Sequence, residues 1–408
     1  EIILRFCKTQ FKFNSNNFIQ VEKLLKKILL LDKNNAEILF WLGNCSVLLG
    51  KIEDATRNFL DVTHLDKNFE TYCGPAYYQL SRLDFKITVS NITLLEKKFH
   101  KIDDVHNKIA LGLALSNFNF KKNNMHSSSQ FLKISNKLAK KFIVKTFSWS
   151  FENEQKVFEN YKKIYKFVKC NSQLNKKIFS CPIFILGLPR SGTSLIEKIL
   201  SHSDKIEIKS ESCFLTNEIH RIFPDITYED IKDIEYSELN NLIDKFIKFI
   251  SPRKPFFTEK TPHNFLLLGT LKFLIPRSKI ILCERSIKEN LFSLYQTLFN
   301  SYNHRFSYDL RDLNDYSKLY RELINYWNQE KVEYFKIDYE KLINSQEITI
   351  KKLCEFLEIK FNSKMLKPHL SLTQINTASV FQTQNPINSD SLSKYEKFKK
   401  HLNKDLFI

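Results

Sequence analysis

Cys181-Pro182-Ile183-Phe184-Ile185-Leu186 runs without a charged residue into Gly187-Leu188-Pro189-Arg190-Ser191-Gly192-Thr193-Ser194. A short continuous apolar run is what a strand buried on both faces looks like. Glycine is scarce here, 7 in 408 residues, yet two of them bracket this one loop. Beyond it the pattern is helical from Thr193 to His202. A strand, a tight turn and a helix N-terminus gather backbone N–H groups and the positive end of a helix dipole at one point, which makes an anion cradle. The same unit restricts the architecture, because parallel strands need crossover helices. Two further apolar runs, Lys279-Ile280-Ile281-Leu282-Cys283 and Tyr334-Phe335-Lys336-Ile337, are expected strands. They alternate with helical stretches at Ser237–Ile250, Ile287–Phe299 and Tyr316–Gln329, so an α/β parallel-sheet domain is predicted.

Upstream the organisation changes. Asp32-Lys33-Asn34 recurs as Asp66-Lys67-Asn68, a period of 34 residues, with Trp41-Leu42-Gly43, Gly50, Ala55 and Phe59 between. These positions resemble the tetratricopeptide repeat, in which small residues let two antiparallel helices approach and large ones fill the groove. One repeat spans Ala36–Phe69, and Asn17–Leu31 matches the second half of another. Val105–Leu138 is a degenerate version with Ala110, Gly112 and Ala114 as its small residues. The alternative is a plain helical hairpin. The predicted organisation is therefore two-domain: tetratricopeptide-like all-α repeats over 1–167, a polar linker at 168–180, and the α/β domain over 181–408.

Composition narrows the function classes. A formal charge of +18 would suit nucleic acid or an anionic membrane. Only 11 of the 63 basic residues are Arg, however, and the Lys are scattered among Asn, Ile and Phe as in an AT-rich coding bias. A nucleic-acid partner is not expected. Arg becomes the informative cation, and between Leu83 and His220 the only one is Arg190. The eight Cys form no CxxC pair and no Cys/His cluster at metal spacing, so no metal site is expected. Several lie in apolar runs as reduced thiols would, which makes the cytoplasm the expected compartment. The sequence begins at Glu1 without Met, which leaves a removed N-terminal signal open. No apolar run reaches the roughly 20 residues of a membrane helix, so no integral membrane segment is expected.

The two Gly of the loop keep the spacing of the phosphate-binding loop G-x-x-x-x-G-K-[ST], with Thr193 in place of its Lys. Losing that Lys removes the partner of the terminal ATP phosphates, and Arg190 supplies a permanent planar charge inside the loop instead. Pro189-Arg190-Ser191-Gly192-Thr193-Ser194-Leu195 resembles the 5′-phosphosulfate loop of the sulfotransferases. The likeness is strongest to the tyrosylprotein sulfotransferases and their bacterial relatives that begin with tetratricopeptide repeats, and it extends over essentially the whole chain. It implies 3′-phosphoadenosine 5′-phosphosulfate (PAPS) as donor substrate, an acceptor hydroxyl and no metal. Arg190, Ser191, Gly192, Thr193 and Ser194 would then hold the donor's 5′ end.

A second motif follows the strand at Lys279–Cys283: Arg285, then Ser293 eight residues on. In that family an Arg and a Ser at this spacing hold the 3′-phosphate, which a fork of N–H donors and a hydroxyl two helical turns later can do. The resemblance further implies Glu211 as the base for the acceptor hydroxyl, Lys260 as the cation stabilising the transition state, and Ser379 as a contact to the leaving group. Tyr339 and Lys394 take donor-binding positions. Some positions depart from the family. Lys209 and Ser210 replace its Gly and first Glu, Cys213 stands where the tyrosine enzymes carry Arg, and Thr297 stands where a donor-binding Arg is usual. His202, His263 and His304 are read as structural.

The competing readings are a phosphate-loop ATP-dependent kinase, against which Thr193 and the Arg285/Ser293 pair speak, and a repeat scaffold with an inactive catalytic domain. The acceptor is open between a protein tyrosine, a glycan and a metabolite. The repeats favour a peptide or protein, since such repeats present a concave groove.

Overall fold

The computed structural model describes residues 1–12, 17–83, 85–142, 149–170, 179–223, 236–299, 302–371, 373, 377, 379–389 and 392–402. Most of the predicted linker, residues 171–178, lies outside the described residues.

The first part of the chain is helical: α1 (Ile2–Lys12), α2 (Phe18–Leu31), α3 (Ala36–Leu48), α4 (Ile52–Leu65), α5 (Cys73–Arg82), α6 (Val89–Phe99), α7 (Val105–Lys121), α8 (Met125–Phe142) and α9 (Phe151–Cys170). The 34-residue period coincides with the α3/α4 pair. A Cβ on Gly43 would stand 2.6 Å from the Phe59 ring, so glycine is what lets these helices close on each other. Polar residues on either side of this pair set where helices start. Asn35 caps α3 by accepting from Ile38 N–H at 3.0 Å. The buried Asp66 carboxylate accepts from the N–H groups of Glu70, Thr71, Tyr72 and Cys73 at 2.7–3.0 Å and so nucleates α5.

The second part alternates strands and helices: β1 (Cys181–Gly187), α10 (Thr193–Leu200), β2 (Ile206–Glu207), α11 (Phe214–Ile222), α12 (Tyr236–Ile250), β3 (Phe256–Glu259), α13 (Leu268–Leu274), β4 (Lys279–Glu284), α14 (Ile287–Tyr295), α15 (Leu310–Gln329), β5 (Phe335–Asp338), α16 (Tyr339–Asn344) and α17 (Gln346–Leu357). Two short helices, α18 (Val380–Thr383) and α19 (Lys394–Phe398), follow. The strands form one parallel sheet in the order β2-β3-β1-β4-β5. β1 is central, which is why its sequence is apolar on both faces. Ile183 and Ile185 pack with α10 and α17, while Phe184 and Leu186 enter a core reaching from Cys7 to Leu402. That larger core joins the helical region to one face of the sheet.

Helix α9 belongs to this junction. Tyr165 meets the rings of Phe273 and Trp327 at 5.6 and 5.0 Å, and Phe158 meets Tyr316 at 5.6 Å. Its aromatic face thus covers α13 and α15 of the α/β part, although its period alone groups it with the helices before it. The sequence reading missed β2 and β3. α14 ends four residues before the expected Phe299, and α15 begins at Leu310, six before the expected Tyr316. The Asp309 carboxylate accepts from Arg311 N–H and Asp312 N–H and starts α15 there.

Candidate active site

The loop after β1 is held tightly on three sides. Gly187 has φ +143°, and a Cβ there would lie 2.3 Å from the Cys283 carbonyl oxygen of β4. Gly192 has φ +103°, and its Cβ would meet the Tyr339 ring at 2.6 Å. Both positions demand glycine. Asn290 of α14 donates to the Pro189 carbonyl at 3.1 Å, and Arg190 itself sits at φ +73°. Ser191, Thr193 and Ser194 are buried at the start of α10. Ser194 Oγ lies 3.1 Å from Thr377 Oγ1, and Ser191 Oγ is buried with no hydrogen-bond partner among the described residues. Lys198, the one lysine of α10, donates to the carbonyls of Ser371 and Thr373 at 2.8 and 2.7 Å, away from the loop.

Arg190 gathers the distant parts of the sequence. Its Nε donates to Ser293 Oγ at 3.2 Å, one Nη to Gln382 Oε1 at 2.6 Å, and the other to Ser379 Oγ. Burial, reinforced by the guanidinium groups of Arg82 and Arg285, pulls its pKa down to about 10. Arg285 leaves the end of β4, lies over the Tyr339 ring at 5.1 Å and approaches Glu289 at 3.7 Å. Arg190, Arg285, Ser293 and Lys394 line a cavity of about 480 Å³. The neighbouring cavity, about 550 Å³, is lined by Arg190, Gly192, Ser194, Arg285, Tyr339, Ser379 and Lys394. Lys394 also reaches over the Phe120 ring at 5.5 Å.

Glu211 and Lys260 form a second group, which lines neither of these two cavities. Lys260 follows β3 and is fully buried. Its Nζ donates to Glu211 Oε1 at 2.5 Å and lies 3.8 Å from Glu197 Oε2. Glu197, one helical turn beyond Thr193 on α10, accepts from Ser210 N–H at 3.1 Å and from Thr258 Oγ1 at 2.9 Å. Ser210 has φ +57°, so this hydrogen bond pins a left-handed residue directly beside Glu211. Burial pushes the Glu197 carboxyl up to about 7, against the pull of Lys260. Glu259, also buried, takes hydrogen bonds from Thr261, Ser212 and Asn264 at 2.7–2.8 Å. The N-terminal turn of α10 is the bridge between the two groups.

The three histidines lie apart from this machinery. His304 stacks on Phe299 at 4.0 Å, and His263 lies 4.9 Å from it; burial holds His263 down at about 4. The carbonyl of His202 accepts from Asn362. Sequence reasoning missed Glu197 and Glu259, although an acid in the otherwise apolar face of α10 was a signal. It also missed Arg82 of α5, which lines both cavities and for which the rarity of Arg was the one available signal. A third cavity, about 490 Å³, is rich in aromatic side chains including Phe40, Trp41, Tyr72 and Tyr78 and shares Arg82 and Phe381 with the first. Among the described residues no group of three or more His, Cys, Asp or Glu could hold a metal ion, and no helix is long and apolar enough to cross a membrane.

Comparison with known proteins bears on residues 182–363, which match a model described as the sulfotransferase family. An uncharacterized protein of Aquifex aeolicus is 27% identical over 237 residues, 54% of this chain and 31% of that protein. The chain thus spans about a third of that relative's length. A putative protein-tyrosine sulfotransferase of Caenorhabditis briggsae is 25% identical over 229 residues, covering 52% of this chain and 80% of that protein. Among solved structures, the sulfotransferase domain of the Synechococcus PCC 7002 olefin synthase aligns with a TM-score of 0.40 at 15% identity, over 55% of this chain and 90% of that domain.

Proposed function

Starting from a chain that carries a domain of the sulfotransferase family, we propose that it moves the sulfuryl group of PAPS to an acceptor hydroxyl. The observation that carries this reading is the meeting of two separate motifs. Arg190 of the first loop donates to Ser293, and both share a cavity with Arg285. A cavity of about 480 Å³ is of the size that takes a nucleotide. Its cations suit a ligand with phosphate at both ends, and the buried Ser191 Oγ, without a hydrogen-bond partner among the described residues, suits an anion in the loop.

PAPS would supply the activated sulfuryl group and a stable leaving phosphate. The remaining work is positioning and charge stabilisation, as in phosphoryl transfer. Arg285 and Ser293 hold the 3′-phosphate, with Tyr339 and Lys394 beside it. Ser191, Gly192, Thr193 and Ser194 bind the 5′ end, and Arg190 and Ser379 face the bridging oxygen that leaves. Glu211 takes the acceptor proton, and Lys260 offers its ammonium to the moving sulfuryl oxygens. Glu197 and Glu259 position these two groups from below. For the acceptor we favour a peptide or protein, possible targets including tyrosine, bound in the aromatic groove of tetratricopeptide-like repeats that reaches Arg82 and Phe381.

The test is nucleotide binding by calorimetry. Adenosine 3′,5′-bisphosphate should bind without Mg²⁺ and more tightly than ATP, and Arg285→Ala should weaken it by about 1.5–3 kcal/mol while scarcely affecting adenosine 5′-phosphate. Mg²⁺-dependent ATP binding that ignores the 3′-phosphate would sink the assignment.

A further inference from the structure

The two adjoining cavities are lined from both regions of the molecule. The α/β part provides Arg190, Arg285 and Lys394, and the helical region provides Arg82 and Lys121. Among the described lining residues the one carboxylate is Glu289, which accepts from Tyr395 N–H at 3.1 Å and faces Arg285. So many cations around one acid repel one another, and an anionic ligand is what offsets that repulsion.

Arg82 is built into this place. It ends α5, and its guanidinium lies over the Phe381 ring at 4.1 Å and the Tyr78 ring at 5.3 Å. Phe381 belongs to α18, whose Gln382 accepts from Arg190. The two arginines therefore flank the same short helix. The Tyr78 hydroxyl accepts from Leu298 N–H at 3.1 Å, and Asn117 donates to Ser81 Oγ at 3.0 Å, so the end of α5 is fixed to α7 and to the segment after α14. Lys121 Nζ donates to the Leu83 carbonyl at 2.6 Å, directly beside Arg82. Thr297, uncharged, lines the same cavity.

We propose that Arg82 is a donor-binding residue, its guanidinium contacting the anionic part of the bound nucleotide from the helical side, so that the donor site spans both regions. The proposal rests on the donor assignment made above. An aromatic plane beneath the guanidinium holds the fork of N–H donors in one orientation, which suits bidentate recognition of a phosphate. The helical region is then part of the nucleotide site as well as a surface for the acceptor.

The experiment uses the full chain with adenosine 3′,5′-bisphosphate in calorimetry. Arg82→Gln keeps most of the side-chain stem and removes the charge; affinity should fall about 10- to 100-fold, the size of a lost charged hydrogen-bonding partner. Arg82→Lys should recover part of that loss, and Arg57→Ala, an exposed change on α4, should leave affinity unaltered. Melting temperatures of the variants should match the parent. If Arg82→Gln binds like the parent while Arg285→Ala is weakened, the inference is wrong and the donor assignment stands. A loss that Lys does not relieve and that accompanies a lowered melting temperature makes Arg82 structural. If the parent protein itself ignores the bisphosphate, the donor assignment fails and takes this inference with it.

Discussion

Glu197→Gln should make the protein more heat-stable at pH 8 relative to the parent than it does at pH 5. Glu197 is fully buried on α10, where Ser210 N–H and Thr258 Oγ1 donate to one oxygen while the other faces Lys260 at 3.8 Å. Burial is the largest influence and lifts its carboxyl from 4.5 to about 7, with Glu211 and Glu259 adding to the lift. A raised acid stabilises the fold below its unfolded value, and that contribution is lost as pH climbs through the folded one. At ~1.4 kcal/mol per pH unit, ionising Glu197 costs the native state about 3 kcal/mol by pH 8. Gln carries no such cost and keeps an acceptor for both donors, so any fixed effect of the substitution cancels between the two pH values. Unfolding entropy near 2.1 cal/mol/K per residue over 408 residues converts 3 kcal/mol into roughly 3–4 °C. The assay is differential scanning calorimetry of both proteins across that range. A displacement of the same size at pH 5 and pH 8 would mean that Lys260 keeps Glu197 ionised throughout, and the burial argument would be refuted.

Two further outcomes follow from the same geometry. Glu211→Gln should leave bisphosphate affinity intact and lower kcat by about 10²–10⁴-fold, read in single-turnover transfer of labelled sulfuryl groups; transfer within a few-fold of the parent removes Glu211 from the role of base. Gly192→Ala combines φ +103° with a 2.6 Å approach to Tyr339, and positive-φ strain of order 1–3 kcal/mol should weaken nucleotide binding by about tenfold. Unchanged affinity there would show that the loop tolerates a side chain and is no tight cradle.

What the sequence made legible was whatever its period or composition marked. β1 and β4 are central strands, apolar on both faces, and their runs stand out. The Arg285/Ser293 spacing is local to one strand and one helix and could be read directly. β3 was hidden because its end is polar: Thr258, Glu259 and Lys260 are all buried yet read as a surface loop. Their burial is possible because each finds a partner far away in sequence: Glu197 for Thr258, Ser212 for Glu259 and Glu211 for Lys260. β2 is two residues long, too short for any period to appear. Arg82 escaped for a different reason. It terminates a helix of the first region and reaches the site only through the packing of α5 against α18, which no local pattern encodes.

The core that runs from Cys7 to Leu402 has an engineering consequence. Phe184 and Leu186 of β1, Trp327 of α15 and Phe398 of α19 share it with Phe59, Phe118 and Phe158 of the first nine helices. Each half is therefore the other's shelter from water. Cutting the chain ahead of Cys181 would bare a broad apolar face on both fragments, a surface prone to self-association. Replacing the first nine helices with a foreign helical domain would fail for the same reason unless the graft reproduced that face. The aromatic groove gives no easier handle, because Phe40, Trp41 and Tyr72 pack against that same core and Tyr78 belongs to it.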